Sequence, residues 1–332
     1  MAQHPMTIGF LIFPGFPMAC LTSIIEPLRA ANEISETKAF EWQLIAEDTG
    51  PVHASAGIAF DPMMTLNDVS RIDHLILLSP PSPSFQRKAS LGAIRCLARH
   101  GTHLGAVSGG VFPLVASGAV LNETVSVHWC YAAAFTAMFP DHSSSDQVLQ
   151  VGPKATTASG AAAAFDLALR LIEMRLGANI AAEVACWFQH PMMRKTDVRQ
   201  VVPPNDLNDK GAPLPDHVAR AIALFAEDIA NPLQVAEIAE ALNLTPRHIE
   251  RSFKQATGQS PTHYFRQMRM NAARQIVMYT NDRLSGIASD VGYQSTQTFN
   301  KHYVGAFDVS PAEDRKRINL YRVKGNSPVP SV

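Results

Sequence analysis

The stretch HLGAVSGGVFPLVASG (residues 103–118) sets a serine, Ser108, between a run of small apolar residues and a glycine pair, Gly109 and Gly110. A buried strand that breaks at such a residue and turns into a helix is how α/β hydrolytic domains expose a nucleophile. Ala-Val-Ser-Gly-Gly nearly fits that elbow. A hydroxyl attacks only when an aligned base takes its proton and preorganised donors receive the oxyanion. His128, followed by Trp129 in VSVHWC, could serve as that base. A histidine beside a tryptophan in an apolar run is as readily a packed core residue. Glu26, in SIIEPLR, would by default be a solvated helix carboxylate. Ile24, Ile25 and Leu28 around it face a core, however, which would leave the carboxylate partly buried near a pocket.

These residues need elements to hold them. TIGFLIF, FEWQLIAE, DHLILLS and THLGAVS read as buried strands, and they alternate with helical stretches. The helices are ACLTSIIEPLRAANEI, SFQRKASLGAIRCLARH and ASGAAAAFDLALRLIEMRL. Alternation of this kind predicts an α/β fold, a mainly parallel sheet sandwiched by helices in the flavodoxin-like manner. The polar segment that follows has five prolines between His190 and Asp216 and no periodicity, so it reads as a linker. The expected organisation is a first domain over 1–190, a linker over 191–214, an all-α domain over 215–322 and a tail over 323–332.

The all-α region carries one plan twice. VAEIAEALNLTPRHIERSFKQATGQSP holds a short helix, a tight turn and a second helix, with Thr245 as its cap and Pro246 at its first position. Ile249, Ser252 and Phe253 fall on the packing side, leaving Arg247, Glu250, Arg251 and Lys254 outward. In LSGIASDVGYQSTQTFNKHYVGAFDVSP, Phe299 and Tyr303 pack and Thr296, Gln297, Asn300 and Lys301 face out. Each unit is a helix-turn-helix whose second helix could present polar side chains to base edges in a major groove. One such unit could be an ordinary helical hairpin; two at a fixed interval favour promoter DNA as partner.

Charge agrees. Residues 1–190 hold ten Lys/Arg against fifteen Asp/Glu, and residues 244–322 hold twelve against six. Only the rear is suited to a polyanion. The four cysteines have no metal-ligand spacing and read as reduced thiols in a cytosolic core, with neither metal nor cofactor expected. The N-terminal apolar run is strand-length and lacks a basic lead, and nothing later approaches a membrane span, so a soluble cytoplasmic protein is expected.

About 100 residues, Asp216 to Arg317, resemble the AraC/XylS family of transcription regulators. The carriers are AEIA, RSFKQATGQSP, Arg269 with Ala273–Arg274, and SGIASDVGYQSTQTFNKHYVGAFDVSP. Asp308 stands where that family more often has Gly, and Asp314 where it usually has Tyr; both are expected to soften the last turn. The first 190 residues resemble the class I glutamine-amidotransferase-like (ThiJ/PfpI) domain fused to some of these regulators. The carriers are GFLIFPGFPMACLTSIIEPLRAAN, GAVSGGVFPLVASG, VSVHWC and TTASGAAAAFDLALRLIE. The resemblance puts Ser108 at the enzymes' nucleophilic cysteine, with His128 and Glu26 as its partners. It also puts Pro80 and Pro81 about where a glycine pair would donate to the oxyanion, and proline has no N–H. It therefore implies a catalytically degenerate domain that binds a small-molecule effector, an amino acid or quaternary amine, in a pocket including Glu26, Ser108, Gly109, His128, Trp129 and Phe16. Phe13, Phe16 and Trp129 could wall a cation, though as core residues they need no such role. The resemblance further implies a homodimer through the first domain, with RNA polymerase as a further partner. The alternative left standing is a serine hydrolase using Ser108 and His128, with an appended DNA-binding domain.

Overall fold

The four stretches expected to be strands each form one in the computed structural model, which describes residues 4–81, 85–190, 194, 197–200, 214–279 and 282–316. In chain order the elements are β1 (Met6–Ile12), α1 (Met18–Ile34), β2 (Phe40–Ala46), β3 (Val52–His53), β4 (Ala59–Phe60), β5 (Met64–Thr65) and β6 (His74–Ser79). There follow α2 (Lys88–Arg99), β7 (His103–Ser108), α3 (Val111–Ala116), β8 (Val125–Ser126), α4 (Ala132–Met138) and β9 (Ser144–Ser145). The first unit closes with β10 (Leu149–Val151), β11 (Ala155–Ala158), α5 (Ala161–Leu176) and α6 (Ala178–Trp187). The main sheet runs β10-β11-β7-β6-β1-β2-β5, parallel except for the β10–β11 pair. Its five central strands, taken in chain order, lie 2-1-3-4-5. That is the flavodoxin-like arrangement, whose switch point falls between β1 and β6.

Side-chain alternation makes both faces of this sheet apolar. Ile8, Phe10, Ile12, Ile76, Leu78 and Val107 join the core built on α1, α5 and α6. Leu11, Leu75, Leu77 and Ala106, equally buried, alternate with them and point the other way. Strands covered on both sides must be continuously apolar, which is why they read as plain hydrophobic runs. The sequence reading missed α6, which Gly177 (φ 90°) separates from α5. It also placed every cysteine in the core, whereas Cys96 and Cys186 are exposed and Cys130 is half-buried; only Cys20 is buried.

The first unit extends past residue 190 into the segment expected to be linker. Asp166, fully buried on α5, accepts hydrogen bonds from the Arg194 backbone N–H (3.0 Å) and from Arg194 Nε (2.7 Å). The Val148 N–H donates to the Val198 carbonyl (2.8 Å). Residues 201–213 and 317–332, including the expected tail, lie outside the described residues.

The second unit, residues 214–316, is helical: α7 (Asp216–Glu227), α8 (Val235–Ala241), α9 (Pro246–Thr257), α10 (Pro261–Tyr279), α11 (Leu284–Asp290) and α12 (Thr296–Phe307), with a last helical turn over 311–316. The Phe225 ring of α7 stacks on Phe265 of α10 at 3.9 Å, closing a core with Ile238, Ile249 and Phe253. The second half is closed by charge. Asp314 is buried and accepts from Arg274 at both oxygens (Nε 2.7 Å, Nη2 3.2 Å), while the Tyr303 hydroxyl donates to it at 2.9 Å. The expectation that Asp314 softens the last turn is therefore wrong: its carboxylate pins α12 and the last turn to α10. Asp308 does take the left-handed conformation that Gly would fill more easily (φ 53°).

Removing the Asp314 carboxylate strands a buried phenol and a half-buried guanidinium. Asp314→Ala should cost the second unit roughly 2–3 kcal/mol in denaturant unfolding. A loss below about 0.5 kcal/mol would show that the cluster is dispensable.

Candidate functional site

The loop after β7 is shaped by how closely two backbones approach. Ser108 pairs in register with Ser79 at the carboxyl end of the sheet. A Cβ on Gly109 would fall on the Ser79–Pro80–Pro81 backbone, and one on Gly110 on the Leu77 carbonyl. Glycine is the residue that can pass there. Ser108 is fully buried and left-handed at φ 54°, the strained geometry of a nucleophile elbow. Beside it run Pro80 and Pro81, neither of which has an amide N–H to donate. The Gly110 N–H is already given to the Val107 carbonyl (3.0 Å). The backbone here keeps the shape of a nucleophile elbow.

His128 is half-buried and caps a single turn over Trp129–Tyr131. Its Nδ1 lies 3.0 Å from Cys130 Sγ and accepts from the Cys130 N–H at 3.3 Å. The other side of its ring approaches Gly160, just beyond β11, which is the neighbour of β7. Ser108 and His128 thus belong to the same end of the sheet. Phe16 is fully buried, edge-on to Phe60 at 5.3 Å, and contributes to the core. Phe13 meets Phe85 edge-on at 5.4 Å. The Glu26 carboxylate is 47% exposed and bonded to Arg29 Nε at 2.9 Å, so it stands as an ion-paired helix residue. Trp129 is half-buried, and its backbone N–H donates to Gln200 Oε1 at 2.8 Å. Gln200 Nε2 donates in turn to the Val127 carbonyl at 2.7 Å. No sequence signal marked Gln200, since it lies in the proline-rich stretch.

The two helix-turn-helix units repeat at an offset of fifty residues along α9 and α12. Thr245 and Ser295 cap the helices by accepting from the N–H groups of His248 (3.2 Å) and Thr298 (3.4 Å). Ile249 and Phe253 of α9, and Phe299 and Tyr303 of α12, are fully buried. Arg247, Glu250, Arg251 and Lys254 are exposed, as expected; Gln297 and Lys301, at the Arg247 and Arg251 positions, are exposed too. Thr296 and Asn300 are only half-buried, and Asn300 Oδ1 is turned inward with no hydrogen-bond partner. The outward stripe of α12 therefore includes Val304, which the sequence reading passed over although it stands seven residues after Gln297. Among the basic residues, Arg269 lies over the Tyr293 ring (4.4 Å) and Arg274 over Phe307 (4.5 Å), so part of the positive charge is structural.

An α/β domain followed by paired helix-turn-helix units defines a two-part DNA-binding regulator. Residues 238–317 match the family described as a helix-turn-helix domain. Over 322 residues the chain is 30% identical to the HTH-type transcriptional regulator ArgR of Pseudomonas aeruginosa, covering 96% of this chain and 95% of that protein. Over 317 residues it is 29% identical to the HTH-type transcriptional regulator GbdR of the same species, covering 95% of this chain and 85% of that one. A solved ThiJ/PfpI family protein from Pseudomonas syringae shares the fold, with a TM-score of 0.50 and 17% identity over 73% of this chain and 91% of that one. The chain belongs to the AraC/XylS family of DNA-binding transcription regulators, with a ThiJ/PfpI-like first domain. Among the described residues no helix is long and apolar enough to cross a membrane.

Burial pushes the His128 imidazole down to about 4, and burial with the neighbouring His103 does the same to His74. Both rings are thus neutral in the folded chain at neutral pH. As pH falls from about 6.5 towards 4, the unfolded chain takes up protons that the folded chain refuses, so stability drops across that window. The melting temperature of the first domain should fall between pH 6.5 and 4.5, and His128→Gln should flatten the slope. A melt that does not change over this range would contradict the burial argument.

Proposed function

We propose that the protein is a metabolite-controlled, sequence-specific regulator of transcription in the cytoplasm, acting as a homodimer. The observation that carries the reading is the pair of exposed stripes, Arg247–Arg251 on α9 and Gln297–Lys301 on α12, at matching positions of two capped recognition helices. Arginine suits a bidentate bond to guanine and glutamine one to adenine. Joined by the 19-residue α10, the units would read sites about one helical turn apart. Each subunit would protect an asymmetric stretch of promoter DNA.

The first domain is read as the effector sensor. Ser108, Gly109, His128 and Trp129 sit at or beside the carboxyl end of the sheet, where open α/β sheets bind ligands. Phe16 and Glu26 are less well supported, one by its place in the core and the other by its ion pair with Arg29. Family resemblance favours an amino acid or a quaternary amine. The Pro80–Pro81 pair against the elbow argues against acyl transfer, and so against the serine-hydrolase reading. Gln200 supplies a route for control: it joins the backbone of the Val127–Trp129 segment, at the site, to the start of the chain that leads to the second domain.

The full-length protein should bind promoter duplexes with an affinity that falls steeply with salt. Arg251→Ala should cost roughly 1–3 kcal/mol at the specific site and relax one base position. Lys254→Ala should weaken all sequences about equally. The protein should leave glutamine, simple esters and small aldehydes unchanged. A covalent phosphonate adduct on Ser108, or turnover lost in Ser108→Ala, would restore the hydrolase.

A thermal-shift screen against amino acids, methylated amines and small acids should find a compound that raises the melting temperature. At a hundredfold excess over its Kd the rise should be roughly 5–10 °C. Gln200→Ala should keep that shift but blunt the compound's effect on DNA affinity. An effect on DNA as large as in the unaltered protein would remove Gln200 from the route.

A further inference from the structure

The fifty-residue offset aligns Arg247, Arg251 and Lys254 with Gln297, Lys301 and Val304. In each helix the three positions are spaced i, i+4, i+7 and so form one outward stripe. Val304 is 42% exposed, although α12 already buries its apolar face through Phe299 and Tyr303. Among the described residues of the second unit, only Leu233 is a comparably exposed large apolar side chain. An exposed valine gains nothing from packing and is a poorer helix former than the lysine at the matching position of α9. Such a residue costs the isolated domain a little, which suggests that it is covered when the stripe is used.

We propose that Val304 is a specificity-determining residue that packs on the C5-methyl group of a thymine in the major-groove segment read by α12. The inference rests on the regulator reading above. Thymine alone among the four bases offers a methyl group on the major-groove edge, and an apolar side chain is its natural partner. With Gln297 suited to adenine on the same stripe, α12 is built for an A·T-containing segment, whereas the arginines of α9 suit guanine. Lys254, at the matching position of α9, can only neutralise phosphate or meet an acceptor. The two helices therefore differ at this position: α12 reads a base there, whereas α9 adds sequence-independent affinity.

The test begins with selection of binding sites from a random duplex library by the full-length protein. Each thymine in the selected α12 half is then replaced by deoxyuridine, which removes only the methyl group. One such replacement should weaken the unaltered protein about fourfold, the equivalent of about 0.8 kcal/mol for one buried methyl. The same replacement should leave Val304→Ala unaffected, since its partner is already gone. Val304→Lys should raise affinity for all duplexes, steepen the salt dependence by about one ion and erase the thymine preference. Equal deoxyuridine penalties in the unaltered protein and in Val304→Ala, or no thymine in the selected half, would overturn the inference while leaving the regulator intact. Enrichment of no sequence at all would overturn the regulator reading and this inference with it.

Discussion

The first domain depends on one close approach, that of the backbone at Gly109–Gly110 to the end of β6. With no side chain tolerated at either glycine, β6 and β7 stay in register to their last residues and α3 starts immediately. The left-handed Ser108 follows from that fit, because the chain must turn sharply to clear the Ser79–Pro81 backbone. Packing alone is therefore enough to hold an elbow of this shape. Ser108 has the backbone conformation of a nucleophile, and the Pro80–Pro81 backbone that packs against the elbow offers it no N–H.

In the second domain the same part is played by two arginines of α10. Arg269 bridges the Tyr293 ring and the Gly292 carbonyl, and Arg274 bridges the Phe307 ring and the Asp314 carboxylate. Gly292 itself is held at φ 76° with the Ile229 and Ala230 carbonyls and the Pro232 ring where its side chain would be. The turn of the second helix-turn-helix is thereby fitted against the chain between α7 and α8. Arg315 is likewise occupied, donating to the Val277 and Asp282 carbonyls. Net charge overstates what is presented to a polyanion, because these arginines are spent on internal carbonyls, rings and a carboxylate.

Much of this was legible in the sequence for physical reasons. Buried parallel strands are uninterrupted apolar runs, and the Thr245–Pro246 and Ser295 helix starts are local signals that tertiary structure leaves alone. The outward positions of α9 followed from helical periodicity because Ile249 and Phe253 fix its phase. Features that depend on distant partners were not legible. Asp314 looked like a departure from a pattern because its partners, Arg274 and Tyr303, lie 40 and 11 residues away. Glu26, read as a partly buried carboxylate near a pocket, is half-exposed and turns to Arg29 one helical turn on, a local pair that the apolar neighbours drew attention from. Gln200 was hidden because proline-rich composition reads as linker whatever its side chains hold.

The repeat of cap and core residue types at a constant offset, set against stripes that differ, separates two kinds of selection. Thr245 and Ser295, Phe253 and Tyr303, and the Ser-Pro pairs at 260–261 and 310–311 answer to folding. The stripe positions are exposed and contribute almost nothing to the core, so on the proposed reading substitutions there would change what is recognised at little cost to stability. Such a scaffold would be evolvable one half-site at a time: either helix could drift to a new sequence while the other kept the protein on its old address.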